Sequence, residues 1–557
     1  MKRKINYDNW SKEELIKELR RIKETKYGLV WHRDLPEEKI DILINPDART
    51  PSEMFPNEMA GRPFPVLKEV KNRAIESDGS KPVNLLIEGD NYHSLAVLNF
   101  THQEAIDVIY IDPPYNTGNN DFIYRDKFES DYVKNDDPFR HSKWISFMER
   151  RLKLAKNLLS KKGAIFISID DNEYGPLKLL CDELLGEVNF LGTIVRRRRG
   201  SQANLSKNIS TIHEYVLCYA KGRETQLNRL TFEAKIDDFK NPDKDSRGPY
   251  VTMPCTNKGG AKYTITTPTG KKHTDEWRFK EETYLELLKD SRIVFPKKGD
   301  GKPRYKLFLK EKEGSGVIAS TWWDDAATNQ EATSELKALF GGELVFNNPK
   351  PVGLIKRIIA LASDKNSTIL DFMAGSGTTG HAVMELNKED GGQRQFILCT
   401  NNENNICTDV CYPRIKKVIE GYKNLKKEKV DGLGGNLRYY TCDFVEAKPT
   451  DLCKRKLVNE CTEMLCIHEN TFELVQDDKD FKIFRNGDRY LGIVFYEDAI
   501  DDFKKAIVKI KGHCNAYIFS MTDDPNKSQF ADVASKVTLC AIPEVILKVY
   551  REIFKEQ

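Results

Sequence analysis

No stretch of the 557 residues approaches the about 18 consecutive apolar residues that a membrane-spanning helix needs, and no apolar signal-peptide core follows the basic residues Lys2 to Lys4. A cytosolic chain is the expectation. Cysteine is sparse, 12 in all, with no C-x-x-C pair. Cys407 and Cys411, or Cys453, Cys461 and Cys466, come nearest to clusters, and they read as reduced, partly buried thiols. Neither a disulfide framework nor a metal centre is expected. A helicase is excluded by the lack of any G-x-x-x-x-G-K-[ST] loop, and a solenoid by the lack of a repeat at fixed period. Net charge is small as well: 88 Lys and Arg against 85 Asp and Glu leave +3, a balance that by itself names no polyanionic partner.

What is present is length and apolar mass. At roughly 150 residues per domain the chain allows about three to four domains. The hydrophobic share of 39% and the aromatic share of 10% supply several cores and exclude a chain disordered throughout. The near-neutral total also hides an asymmetry. Residues 191–310 hold 26 Lys and Arg against 14 Asp and Glu, an excess of 12, so the remainder is net negative. The excess is densest at Arg196 to Arg199, and rings alternate with charge at Trp277 to Lys280 and Arg304 to Phe308. Such a segment is the electrostatic footprint of a phosphate-backbone binder; a solvated lysine-rich face is the bland alternative.

Texture divides the chain further. Residues 1–80 read as a helical lead-in over Lys12 to Glu24, then a Pro-rich extended arm through Pro51, Pro56, Pro63 and Pro65. From Val83 short apolar runs alternate with helix-length amphipathic stretches: Val83 to Ile87, Ala105 to Ile111, Ala164 to Ile169 and Tyr215 to Ala220, with a helix over Lys143 to Ser160. The pattern predicts an α/β unit with a parallel sheet. It lapses over 223–335, which is Thr-, Lys-, Gly- and Pro-rich, and resumes with a helix at Pro349 to Ala362, a strand at Ser367 to Phe372, a helix at Gly380 to Leu386 and a strand at Gln395 to Thr400. One sheet split by an insertion is expected, with boundaries at 81–222 and 336–450. A small separate α/β domain follows over 451–557: a helix near Val458, strands at Phe481 to Phe484, Tyr490 to Phe495 and Ala516 to Phe519, a helix at Asp501 to Ile510, and a closing helix from Pro543.

Two motifs carry chemistry. In the first, an apolar strand from Val108 runs straight into Asp112-Pro113-Pro114-Tyr115. The two prolines fix φ near −65° and remove two N–H donors, so a carboxylate and a ring are presented stiffly at a strand's carboxyl end, where open α/β sheets bind ligands. A plain strand-ending turn explains Asp112 and one proline but not Pro114 and Tyr115 together.

In the second, the strand ending at Asp371 enters Phe372, Met373, Ala374, Gly375, Ser376, Gly377, Thr378, Thr379 and Gly380. Glycines let the backbone approach a ligand, and a helix N-terminus offers free N–H groups. The same spacing serves dinucleotide sites, so alone it is weak. Glu403, after the next strand, suits ribose hydroxyls, which nicotinamide and S-adenosylmethionine cofactors both carry.

Taken together, these motifs resemble the amino-methyltransferases of DNA. The order, with the Asp-Pro-Pro-Tyr motif first, a basic insertion between and the glycine turn last, is similar to their β class. Lys26 to Trp31, Leu86 to Asn91, Phe346 to Pro351 and Thr400 to Asn404 resemble the Mod (modification) subunits of type III restriction systems. The resemblance implies a Rossmann-like S-adenosylmethionine-dependent sheet in permuted order and an adenine N6 target in double-stranded DNA. Asp112, Pro113, Pro114 and Tyr115 would be catalytic. Cofactor contacts would come from Asp90, Lys350, Pro351, Asp371, Phe372, Ala374, Gly375, Gly377, Thr378, Thr379 and Glu403. Arg196, Arg197, Arg198 and Arg199 would meet DNA phosphates, and residues 223–335 would read sequence, with Trp322 and Trp323 as packing or stacking groups. It also implies a homodimer able to join a separate restriction subunit carrying helicase and nuclease. N4-cytosine modification and a solitary adenine methyltransferase stay open as alternatives, and a nicotinamide dehydrogenase leaves the first motif unexplained.

Overall fold

A computed structural model describes residues 11–13, 15–16, 63–77, 80–118, 122–125, 130–201, 209–230, 239–313, 316–446, 451–519 and 527–542. Most of the expected arm, the Lys26 to Trp31 motif and the expected closing helix from Pro543 lie outside the described residues. The chain divides into two compact units, Met1–Gln226 with Thr321–Gln557, and Leu227–Ser320.

The larger unit is built on an eleven-stranded sheet. Its elements in chain order are β1 (Pro63–Glu69), β2 (Ile75–Glu76), β3 (Val83–Glu88), α1 (Asn91–Thr101), β4 (Ile106–Ile111), α2 (Arg140–Leu158), β5 (Leu159–Ile169), α3 (Tyr174–Cys181), β6 (Phe190–Arg197), β7 (His213–Ala220), β8 (Trp322–Trp323), α4 (Asn329–Leu339), α5 (Val352–Ala362), β9 (Thr368–Asp371), α6 (Thr378–Asp390), β10 (Gln395–Thr400), α7 (Tyr412–Glu420) and β11 (Asn436–Glu446). The spatial order is β1-β11-β3-β10-β9-β4-β5-β7-β6-β8, with β2 paired to β11.

From β11 to β5 the pairings are all parallel, whereas β1 and β7 pair antiparallel with their neighbours. The expected parallel sheet is thus the centre of a mixed one. Parallel strands buried on both faces read as apolar runs, as Val108 to Ile111 of β4, Ile369 and Leu370 of β9 and Phe396 to Cys399 of β10 do, and their aliphatic side chains are almost fully enclosed. Two polar side chains pin this centre. Asp107 Oδ2 accepts the Thr368 N–H at 3.0 Å, tying β4 to β9. The buried Asn84 accepts the Phe396 N–H at 2.9 Å and donates to the Asn436 carbonyl at 3.0 Å, tying β3 to both neighbours.

From β9 the chain proceeds to one side of the sheet and from β4 to the other, so the crevice at their carboxyl ends is the switch point where α/β sheets bind ligands. Residues 451–542 carry their own five-stranded sheet beginning Glu473–Asp477, Phe481–Asn486 and Arg489–Val494, within the same compact unit. The helix Asp451–His468 contributes Leu457, Cys461, Met464 and Leu465 to the core that also holds Val66, Leu95 and Tyr440.

The smaller unit is not the irregular stretch the composition suggests. It holds the antiparallel strands Tyr250–Pro254, Arg304–Phe308 and Ile293–Val294, a ribbon of Thr256–Thr266 on Lys272–Trp277, and the helix Glu281–Lys289. Cys255, Ile265, Trp277 and Tyr284 form its core. Its end corrects the expected insertion boundary. Trp322 and Trp323 pair with Val195 and Arg196 of the large sheet, and α4 follows in the same unit. Trp323 is fully buried under the Arg357 guanidinium, 4.3 Å from its ring, while Trp322 is exposed.

Candidate active site

Two segments from opposite halves of the sequence meet at neighbouring strand ends. Ile369 lies opposite Val108 and Leu370 opposite Ile109 in a parallel register, so Asp112, just past β4, and Asp371, the last residue of β9, emerge at the same edge. The loop after Asp112 is held from behind. The Trp144 indole N–H donates to the Pro114 carbonyl at 2.7 Å. Asn116 then takes φ 54°, a left-handed conformation that asparagine tolerates better than most residues. Its amide donates to Glu173 Oε1 at 2.5 Å and to the Arg140 carbonyl at 3.2 Å, and His141 Nδ1 lies 2.7 Å from the same carboxylate oxygen. Glu173 is wholly enclosed, and burial raises its carboxyl above the ordinary range.

Charge alternates inward from Asp112. Lys350 Nζ stands 2.7 Å from Asp112 Oδ1, 3.7 Å from Glu214 Oε1 and 4.9 Å from the centre of the Tyr115 ring. Glu214 in turn accepts two N–H groups of Arg196, at 2.8 and 2.5 Å. Lys350, Glu214 and Arg196 are buried, and an uncompensated charge there would cost several kcal/mol, so the alternation is what makes the cluster tenable. Burial raises the Asp112 carboxyl above the usual carboxylate range; Lys350 opposes this and Glu214 adds to it. Burial alone would raise Glu214 too, but Lys350 and Arg196 outweigh it and hold the group below its ordinary value. Lys350 Nζ is thus the close cation of Asp112, and both Lys350 and Tyr115 act on its carboxylate. Asp112 Oδ1, the Tyr115 hydroxyl and Glu214 Oε2 are enclosed yet have no aligned hydrogen-bond partner among the described residues. Enclosed polar atoms left this way mark a place completed by a ligand.

The glycine turn faces the same edge. Asp371 is buried and spends both oxygens locally, Oδ1 on the Met373 N–H at 3.0 Å and Oδ2 on the Thr379 hydroxyl at 2.5 Å. It therefore shapes the turn. Burial pushes its carboxyl up to about 7 against those two hydrogen bonds. Gly377 sits at φ 78°, and a Cβ there would meet Cys411 Sγ at 3.0 Å. Gly375, at φ 50°, has nothing closer than the Phe346 ring at 3.6 Å. The N–H groups of Gly375 and Ser376 find no acceptor among the described residues. The Thr378 hydroxyl instead accepts from Arg414 at 2.8 Å, and Phe372 and Ala374 pack inward. The turn thus offers backbone donors and open space to a ligand.

Comparison with known proteins bears on what such a site belongs to. The N6_N4_Mtase family, described as DNA methylase, matches residues 106–410, more than half of the chain and both strand ends. The chain belongs to this family. The chain is 42% identical over 342 residues to the type III restriction-modification enzyme StyLTI Mod subunit of Salmonella typhimurium, covering 57% of this chain and 52% of that protein. It is 32% identical over 407 residues to the EcoPI Mod subunit of Escherichia phage P1, covering 61% of each. With the type II methyltransferase M.KpnI of Klebsiella pneumoniae it shares 32% over 409 residues, covering 66% of this chain and 94% of that one. The match thus spans between one half and two thirds of the two Mod subunits.

The remaining expected site residues fall in three places. Asp90 caps α1, accepting the Tyr92 N–H at 2.7 Å and an Arg151 N–H at 3.2 Å, and the neighbouring Gly89 N–H donates to the Thr400 carbonyl at 3.0 Å. Glu403 opens a single turn right after β10 and is partly exposed. Asp90 follows β3 and Glu403 follows β10, so both acids lie past the carboxyl ends of these neighbouring strands. Pro351 is buried and caps α5.

The arginine run needs correction. Arg196 is fully enclosed, spending its N–H groups on Glu214, the Ala327 carbonyl at 3.1 Å and Asn329 Oδ1 at 2.6 Å, so it cannot reach a DNA phosphate. Alternation along β6 turns Arg197 outward, where it bonds the Arg199 carbonyl at 3.0 Å, and Arg199 is exposed. Sequence reasoning missed Glu214, Trp144, Asn116 and Glu173. Glu214 does carry a signal, an acid inside the apolar run His213 to Ala220, which requires a buried cation.

Proposed function

We propose that this chain is a site-specific DNA methyltransferase that methylates N6 of an adenine turned out of the duplex, as the modification subunit of a type III restriction-modification system. The observation that carries the reading is the side-by-side emergence of Asp112 and the Gly375–Gly377 turn from neighbouring parallel strands, which leaves one crevice for donor and acceptor. S-adenosylmethionine, when bound, supplies a methyl group on a sulfonium cation. Gly375 and Ser376 hold its amino-acid end through backbone N–H groups, with Asp90 and Glu403 available to its nucleoside.

Adenine's exocyclic amine is a poor nucleophile because its lone pair is delocalised into the ring. Asp112 and the Pro113 carbonyl accept hydrogen bonds from its two N–H groups, draw density toward nitrogen, and stabilise the positive charge that develops as the methyl arrives, a charge relieved when the methylated nitrogen gives up one proton to solvent. This requires Asp112 ionised, which the Lys350 ammonium favours against burial. Tyr115 stacks on the base and offsets part of the few kcal/mol lost on unstacking. The remaining work is alignment of nitrogen, carbon and sulfur, with no covalent enzyme intermediate.

Duplex DNA is gripped by the exposed Arg197 and Arg199 and by the basic ribbon of the smaller unit, where Lys258, Lys262, Lys271 and Lys272 are exposed. Target reading belongs to that unit. A homodimer in the cytosol, joined by a separate restriction subunit, completes the proposal, supported by the likeness to Mod subunits. The test is mass spectrometry of nucleosides from duplex DNA incubated with the chain and methyl-labelled S-adenosylmethionine. Labelled N6-methyladenine is expected. Labelled N4-methylcytosine or an absence of transfer would contradict the assignment.

A further inference from the structure

The larger unit has clefts that the cluster around Asp112 does not use, and one of them adjoins the arginine run. Arg198, Arg199, Gln330, Thr333, Ser334 and Asn348 line a cleft of about 370 Å³. None of the residues lining it is aromatic or aliphatic, so nothing there would stack on a base. What it offers is positive charge and hydrogen-bond donors. Arg198 Nε is enclosed and has no hydrogen-bond partner among the described residues. Its backbone is nevertheless fixed, the amide on the Ile212 carbonyl at 2.8 Å and the carbonyl on the Asn329 amide at 3.0 Å. The Arg198 side chain also lines the cleft, so its remaining guanidinium N–H groups can meet an acceptor that arrives from outside.

The carboxylates of Glu214 and Asp170 feel the Arg198 charge, but neither is hydrogen-bonded to it, so the role of acceptor stays open. Gln330 gives its carbonyl oxygen to the Gly200 N–H at 3.3 Å, which keeps its NH₂ as a donor. Glu331, the adjacent acid, is committed to capping α4, accepting from the Thr328 amide at 2.5 Å and hydroxyl at 3.0 Å. Two guanidinium groups and neutral amides suit a phosphodiester, whose oxygens take several donors at once.

The cleft also has a fixed relation to Asp112. Arg198 stands two residues beyond Arg196, whose partner Glu214 is 3.7 Å from Lys350, and Asn348 stands two residues before Lys350. We infer that this cleft is a subsite for one backbone phosphate of the DNA strand that carries the target base, holding that strand while the base leaves the stack. The inference rests on the DNA-methyltransferase reading.

The test uses the full chain and duplexes in which single phosphates flanking the modified nucleotide are replaced, one at a time, by neutral methylphosphonates. At one linkage the replacement is expected to weaken wild-type binding about tenfold or more, as a charge-assisted contact should. The same replacement should cost Arg198→Gln almost nothing, because the partner is already gone. Arg198→Lys, which keeps the charge, should recover part of the effect, and KM for the methyl donor should stay unchanged in both variants. Loss at the same linkage in wild type and Arg198→Gln alike would overturn the subsite, as would a rise in donor KM with DNA binding intact. If the wild-type chain transferred no methyl group to any duplex, the DNA-methyltransferase reading itself would fail, which the coupling measurement alone does not decide.

Discussion

The Lys350 ammonium stands 2.7 Å from Asp112 Oδ1, although one residue precedes the glycine turn and the other follows the strand at Val108. Burial raises the Asp112 carboxyl above its ordinary range, and the Lys350 ammonium opposes that rise. Replacing Lys350 by Met should move the acid limb of the pH–rate profile toward higher pH, by roughly 1–3 units, the usual influence of an adjacent opposite charge. The sign follows from the role: a higher Asp112 pKa means less carboxylate at a given pH. Steady-state rates of wild type and Lys350→Met between pH 5 and 9 decide it, and an unmoved limb would remove Lys350 from the mechanism.

Asp112→Ala should lower kcat by about 10²- to 10³-fold or more, the loss expected on removing a hydrogen-bonding group that acts mainly in the transition state. Donor and DNA binding should persist, since the glycine turn and the basic surfaces are untouched. Calorimetric titration with the donor beside a transfer assay separates the two effects.

Asp371 predicts a stability effect of opposite sign to the usual carboxylate. Its folded-state pKa, pushed up to about 7, lies above the ordinary 3.8, so the native state binds the extra proton. Its contribution is therefore present at low pH and lost as pH rises from about 4 to about 7. Relative to wild type, Asp371→Asn should gain stability as pH rises across that window and hold level above it. Denaturant midpoints of both proteins at pH 5, 6, 7 and 8 would reveal this, and parallel curves would refute it.

Arg196 and Arg197 should behave differently despite adjacency. Arg196→Met strands Glu214 as a buried charge and should destabilise the fold by about 3–5 kcal/mol. Arg197→Gln should leave stability within about 0.5 kcal/mol but flatten the salt dependence of DNA binding. Thermal unfolding and binding at several salt concentrations test the pair; equal effects on both readouts would contradict the assignment.

Gly377→Ala should destabilise by about 1–2 kcal/mol from its left-handed backbone alone, with a further cost from the 3.0 Å approach to Cys411 Sγ. Denaturant unfolding measures it, and a neutral result would mean the turn relaxes freely.

How far these features are legible in the sequence differs by residue. The strand Gln395–Thr400 is readable to its ends because a buried parallel strand is an unbroken apolar run between polar turns. The adjacency of the two motifs is legible only through the resemblance, since no local pattern says that β9 lies on β4. The strand Phe190–Arg197 is hidden, because four consecutive arginines read as an exposed phosphate-contacting run and only tertiary pairing buries Arg196 while exposing Arg197. The smaller unit defeats periodicity for another reason: its core is few residues, Cys255, Ile265, Trp277 and Tyr284, spread among lysines and threonines. Asn116 shows a limit of a different kind. Its left-handed backbone is chosen by Glu173 and the Arg140 carbonyl, which lie elsewhere in the chain.

The central claim is that one crevice receives both reactants, and the most direct measurement is an experimental structure of the full chain with a non-reactive analogue of the methyl donor. The account predicts the analogue's amino-acid end on the Gly375 and Ser376 amides, with the group replacing the methyl directed at the enclosed Asp112 oxygen beside Tyr115. An analogue bound away from the Asp112 and Asp371 strand ends, or with that group turned from Asp112, would contradict it.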